Sequence, residues 1–158
     1  MTSPNEKGAR VRFPPPLVFL GAILLGVLIQ RKGVRLSLWF APELRIAAGV
    51  VILVCGVSLV VSARIWFKRT GQSPFPWTPT PEVIFQGPYR FTRNPMYVGV
   101  TLFVVGLGIA LNDIWISVCA APALLLVHFI AVLPEERYLT EKFGESYRSY
   151  LARVRRYI

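Results

Sequence analysis

The chain has 158 residues, 54% of them hydrophobic, and a mean hydropathy of +0.51. So apolar a composition excludes an ordinary soluble domain and points to an integral membrane protein. The formal net charge of +10 invites a nucleic-acid reading, but the basic residues flank apolar runs instead of forming one stripe, which fits anionic lipid and not nucleic acid.

Residues 1–12 are polar and basic and read as a loose cytoplasmic arm. The start Met1-Thr2-Ser3-Pro4-Asn5-Glu6 lacks a signal-peptide pattern, so the first apolar run is read as a retained helix. Four runs follow: Phe13 to Ile29, Ile46 to Phe67 (with Arg64 near its end), Met96 to Leu111, and Ile114 to Leu133. A spanning helix needs about 20 apolar residues, or about 17 at the short end. The second and fourth runs meet that length, and the first and third are marginal. The expected fold is therefore an all-α integral membrane protein with four transmembrane helices. A structured cytoplasmic loop and a C-terminal interfacial amphipathic helix complete it, as one domain over 1–158. Residues 1–67 form two scaffold helices, and 68–158 carry the working part. Gly21, Gly26, Gly49 and Gly56 suit close helix packing, although none of their pairs has the four-residue spacing of the strongest motif. Cys55 and Cys119 fall inside apolar runs and read as small core residues.

Between the second and third runs, residues 70–81 hold four prolines, which rules out a regular helix. Glu82-Val83-Ile84-Phe85 then reads as a short extended segment entering a Gly87-Pro88 turn. The whole 68–95 connection is about 28 residues long, a length that is functional or disordered in most proteins. Its content of Phe75, Trp77, Tyr89 and Phe91 argues for order. It also carries Lys68, Arg69, Arg90 and Arg93, while the Asn112-Asp113 turn between the third and fourth runs carries no Lys or Arg. The positive-inside rule places the loop and the C-terminal segment in the cytoplasm. Arg31, Lys32 and Arg35 argue the other way for the first helix.

Asn94-Pro95 reads as a helix start, with asparagine as N-cap and proline at the first helical position. The polar start of that helix, with Arg90, Arg93 and Tyr97, is a site where an anion or a polar ligand is stabilised. Gly99 and Gly106, seven apart, share a face. In the fourth run His128 is an ionisable group inside a membrane helix and so a functional candidate, with a neutral hydrogen-bonded histidine as the plainer reading. His128 and Glu135, also seven apart, are expected to face the same way. Pro134-Glu135-Glu136-Arg137 reads as the end of the fourth helix, where one glutamate turns back into the bundle. Glu145 to Ile158 shows helical spacing of Tyr147, Tyr150, Leu151, Val154 and Tyr157, with a basic opposite face. Such a helix lies on the interface and covers a site.

Gly87-Pro88-Tyr89, Arg93-Asn94-Pro95-Met96-Tyr97, Glu135-Glu136 with Leu139, and Phe143-Gly144 with Tyr147 and Tyr150 occur in that order. The set resembles the isoprenylcysteine carboxyl methyltransferase family, and related phospholipid N-methyltransferases share much of it. The resemblance covers about residues 69–158. It implies an integral membrane, multi-pass methyltransferase using S-adenosylmethionine, bound on the cytoplasmic side. By the same resemblance the cofactor is held by Glu82, Val83, Ile84, Tyr89, Asn94, Pro95, Met96, Tyr97 and Glu135. Two departures bear on the chemistry. Asn94 stands where the family often has histidine, so no proton transfer is assigned there. Ala131 stands where eukaryotic members place an arginine for the substrate carboxylate, which leaves the acceptor open.

The implied reaction is an in-line methyl transfer that needs alignment more than a nucleophile. The partner is a lipophilic small molecule or lipid, either a carboxylate as in isoprenylcysteine-type substrates or a lipid amine. An amine acceptor needs a base, for which Glu136 and His128 are candidates; His128 or Arg137 can approach the space left by the absent arginine. No metal set is expected. Two other readings stand beside this one: a sterol-reductase-type enzyme binding NADPH, and a non-catalytic membrane protein of the same architecture.

Overall fold

The computed structural model describes residues 8–9, 11, 13–75 and 77–158. Most of the expected N-terminal arm lies outside the described residues. Among those described there is no strand, and the helices are α1 (Pro15–Arg31), α2 (Pro42–Arg69), α3 (Pro95–Leu111), α4 (Ile114–Val127), α5 (Leu133–Phe143) and α6 (Glu145–Arg153). A single π turn, His128–Val132, joins α4 to α5, so 114–143 is one helical rod. At 1.5 Å per residue α2 extends about 42 Å and α3 about 25 Å. Among the described residues only α2 and the α4–α5 rod are long and apolar enough to cross a bilayer by themselves; α1 and α3 are apolar helices of 17 residues each.

Packing order differs from chain order. Helix α2 lies along α3, α3 along α4, and α4 along α1. The α2–α3 seam depends on four glycines. A Cβ at Gly49 would meet the Ala110 amide and the Gly106 carbonyl, and one at Gly56 would meet the Gly99 carbonyl and Phe103 amide. Gly99 and Gly106 do share the face facing α2, as their spacing implies. Small residues are how membrane helices gain close van der Waals contact when lipid offers no hydrophobic drive. Gly26 plays the same part for α1 against Trp115 and Ile116. The core between α1, α3 and α4 holds Phe19, Val104, Ile116, Cys119, Val127 and Val132. By contrast Leu24, Leu28, Val51, Val54, Leu125 and Phe129 face outward. That reversal of the usual pattern suits a hydrocarbon surround. Cys55 belongs to this outer surface, so its expected core place is corrected; Cys119 is buried as expected.

The end remote from the 68–95 loop is closed by polar links. Asn112 adopts a left-handed conformation (φ 58°) that asparagine tolerates. Its Oδ1 accepts from the Leu38 amide at 2.9 Å. Asp113 caps α4 through Ile116. Arg45 donates to the Ile109 and Ala110 carbonyls at 3.1 and 2.6 Å, satisfying the last turn of α3.

Four local expectations are corrected. Asn94 occupies the N-cap position of α3, but its side chain makes no capping bond and donates instead to the Arg156 carbonyl at 3.0 Å. The fourth helix does not end at Pro134-Glu135-Glu136-Arg137. Proline there follows the π turn, whose widened hydrogen bonding accommodates a missing amide, and α5 continues to Phe143. That turn also shifts the register, and His128 meets Tyr157 while Glu135 meets Tyr97 at a different place, so the two are not brought together as expected. Finally, the helical spacing from Glu145 is used only to Arg153; Val154 is extended (φ −117°, ψ 131°) and 154–158 run as a strap.

Candidate functional site

The helix ends on the loop side enclose a cavity of about 290 Å³. Residues 82–84 run without regular structure along it, then a tight turn of 3₁₀ form spans Gly87–Arg90. Gly87 has φ +60°, and the Trp66 indole lies where a Cβ would stand, so only glycine fits this entry. The turn buries Tyr89 against Phe67 with ring centres 6.0 Å apart, edge to face. After four intervening residues α3 begins at Pro95, with Asn94, Pro95, Met96 and Tyr97 on the cavity wall. Across it stands Glu135 from α5, accepting a 2.7 Å hydrogen bond from the Tyr97 hydroxyl. Glu82, Val83, Ile84, Tyr89, Asn94, Pro95, Met96, Tyr97 and Glu135 all line this one cavity.

Other wall residues had weaker signals or none. Tyr147 and Tyr150 of α6 are buried against the cavity, and the Tyr150 hydroxyl donates to the Tyr89 carbonyl at 2.7 Å. Their helical spacing hinted at cover. Tyr138, one turn after Glu135, accepts the Thr80 N–H on its hydroxyl oxygen at 3.2 Å. Gln72 and Arg64 also face the cavity; Arg64 was visible as the charge interrupting an apolar run. Phe19 and Pro14–Pro16 from α1 complete the apolar end, and nothing in their local sequence marks them.

His128, Glu136 and Arg137 are not part of this wall. The His128 Nδ1 lies 2.9 Å from the Tyr157 hydroxyl. Arg137 is exposed. Glu136 is buried, with Arg93 at 3.1 Å and a bidentate Arg156 at 2.7 to 3.2 Å. A carboxylate so paired has its lone pairs occupied by charged donors. Ala131 is fully buried within the π turn, and neither His128 nor Arg137 supplies a charge to the cavity.

The electrostatics favour neutral phenols. Burial raises the hydroxyls of Tyr89, Tyr147 and Tyr150 well above the ordinary tyrosine value, Tyr150 up to about 12. A pKa raised in the folded state means that stability is intact below the unfolded value of about 10 and is lost as pH rises through the folded value. An alkaline titration followed by phenolate absorbance should therefore leave these three tyrosines silent until helical structure is lost above about pH 10. Their ionisation with helicity intact would contradict the buried placement.

A bundle with an apolar exterior and a largely apolar, aromatic-walled cavity at its basic end is that of a membrane-associated protein. A model of the phospholipid methyltransferase family matches residues 44–146, and the chain belongs to that family of membrane methyltransferases. The match takes in α2, which the sequence motifs alone did not reach. The chain is also similar to the cobalt-zinc-cadmium resistance protein CzcN of Cupriavidus metallidurans, at 28% identity over 109 residues. That alignment covers 68% of this chain and 45% of the relative. Among the described residues no three His, Cys, Asp or Glu side chains gather as a metal-holding set.

Proposed function

We propose that this chain is a multi-pass membrane methyltransferase that uses S-adenosylmethionine to methylate a lipophilic acceptor. The observation that carries this reading is that nine residues scattered over 82–135 line one cavity. The cavity chemistry fits the donor. Glu135 and Glu82 offer carboxylates to its cationic groups, and the faces of Tyr89, Tyr97, Tyr147 and Tyr150 suit a sulfonium. When bound, S-adenosylmethionine supplies an electrophilic methyl group. The residues of the chain align it, and alignment accounts for much of the acceleration in such transfers. The Tyr97–Glu135 hydrogen bond fixes the carboxylate's orientation. The apolar end, with Phe19, Phe67 and Pro14–Pro16, excludes water and admits hydrocarbon.

In this proposal α1 to α4 all cross the bilayer, α1 and α3 with help from interfacial residues. The cavity end, bearing Lys68, Arg69, Arg90, Arg93 and the basic residues after Gly144, faces the cytoplasm. The whole chain acts as one domain, with α1 contributing to the wall through Phe19 and α2 through Phe67 and Arg64. The acceptor is a carboxylate or an amine carried on a hydrophobic body. Among the residues described, the cavity wall offers an amine acceptor no free base apart from Glu135 and Glu82.

Calorimetric titration of the purified protein in detergent, once with S-adenosylmethionine and once with NADPH, tests the reading. Heat with the first alone supports it. Heat with NADPH alone supports a reductase, and heat with neither ligand supports a non-catalytic role.

A further inference from the structure

The segment 154–158 is tied to the cavity wall at several points. The Arg155 carbonyl accepts from the Arg93 amide at 3.0 Å. The Arg156 carbonyl accepts from Thr92 Oγ1 at 3.1 Å and from Asn94 Nδ2 at 3.0 Å. The Arg156 guanidinium clasps Glu136, which Arg93 also grips. Tyr157 reaches His128 in the π turn. A tail that simply packed on a surface would need none of these directed bonds. This one engages the Asn94 side chain at the start of α3 and pairs a buried carboxylate.

We propose that this strap is a positioning element, and that Arg156 and Glu136 are positioning residues for the cavity wall instead of acid–base groups. Adjacent residues on a helix diverge by about 100°, so one turn of α5 sends Glu135 to the cavity and Glu136 to the strap. The start of α3 is divided in the same way. Arg93 and Asn94 hold the strap, and Tyr97, one turn on, meets Glu135. A shift of the strap is therefore transmitted to both partners of the Tyr97–Glu135 bond. Misplacement of ligand-contacting groups by as little as an ångström weakens function severely. The burial of Glu136 between two guanidiniums makes the arrangement strict, because removing one leaves the charge undercompensated. For its ligand readout the inference rests on the methyltransferase reading above, and for its structural readout it does not.

The test uses the full chain in detergent with Arg156→Gln, Arg156→Lys and Tyr157→Phe. Calorimetry reads S-adenosylmethionine affinity, and hydrogen exchange reads the amides between Thr92 and Tyr97. Arg156→Gln should weaken affinity about tenfold and speed exchange in that segment. Arg156→Lys keeps a charge for Glu136 and should recover most of both losses, which a purely structural loss of fold would not show. Wild-type affinity in Arg156→Gln overturns the proposal. If the wild type gives no heat with S-adenosylmethionine, the methyltransferase reading falls and exchange alone decides: unchanged protection in Arg156→Gln overturns the strap. Should Arg156→Gln not fold, Tyr157→Phe is judged by the same criteria, with weakened affinity or faster exchange supporting the strap and wild-type values of both overturning it.

Discussion

Glu135→Ala is expected to weaken S-adenosylmethionine binding by about 100-fold or more in calorimetry, with the protein still folded in detergent. Glu135 contributes a negative charge on the cavity wall and fixes the Tyr97 hydroxyl at 2.7 Å. Its removal leaves that hydroxyl without a partner and leaves Glu82 as the remaining wall carboxylate for the donor's cationic groups. Truncating one partner of a buried charged pair costs about 2–5 kcal/mol, which is the source of the expected factor. Glu135→Gln separates the two contributions, because an amide oxygen still accepts from Tyr97 but carries no charge. Intermediate affinity in that variant would assign the remainder to charge. Unchanged affinity in Glu135→Ala would remove Glu135 from the binding site.

The second large effect concerns the fold. Gly106→Val should destabilise the protein by about 1–3 kcal/mol, the range for overpacking a tight interface. A Cβ at Gly106 would sit 2.5 Å from the Leu53 amide nitrogen and 2.6 Å from the Gly49 carbonyl. These are backbone atoms of a facing helix, so neither can swing aside; the whole of α2 must move. Gly21 is the control, because a Cβ there meets nothing within 4 Å. Thermal unfolding in a single detergent should show a lower midpoint for Gly106→Val and little change for Gly21→Val. Equal midpoints would mean that the α2–α3 seam is looser than its geometry.

What the residues announced in advance was set by how local the signal was. Apolar run length located α1 to α4 within a few residues, because lipid-facing and core positions are both greasy and the run is long. Motif order brought together the nine cavity residues, since a resemblance carries spatial information that spacing lacks. Where local chemistry had to compete with tertiary contacts, the reading went astray. Asn94 has the composition of a cap, yet the Arg156 carbonyl, 62 residues away, takes its amide. Pro134 looks like a terminator, but a π turn absorbs it. Glu136 beside Glu135 looks like a base, and only the fold shows two arginines closing on it. Phe19 in the cavity wall had no signal, because its role comes from α1 lying against α4 instead of its sequence neighbour.

That pairing has a consequence for biosynthesis. Helix α1 finds its partners late: Gln30 bonds to the Asn112 carbonyl, 82 residues further along. Helix α2 must likewise wait for the long loop before α3 arrives. During synthesis both leave the ribosome as solitary apolar rods, without the neighbours that later cover their glycine faces. The α2–α3 pair is the first able to form, and the α3–α4 hairpin, joined by Asn112-Asp113, follows. The earliest-made helix of this protein, which packs on α4, is therefore the last to be seated.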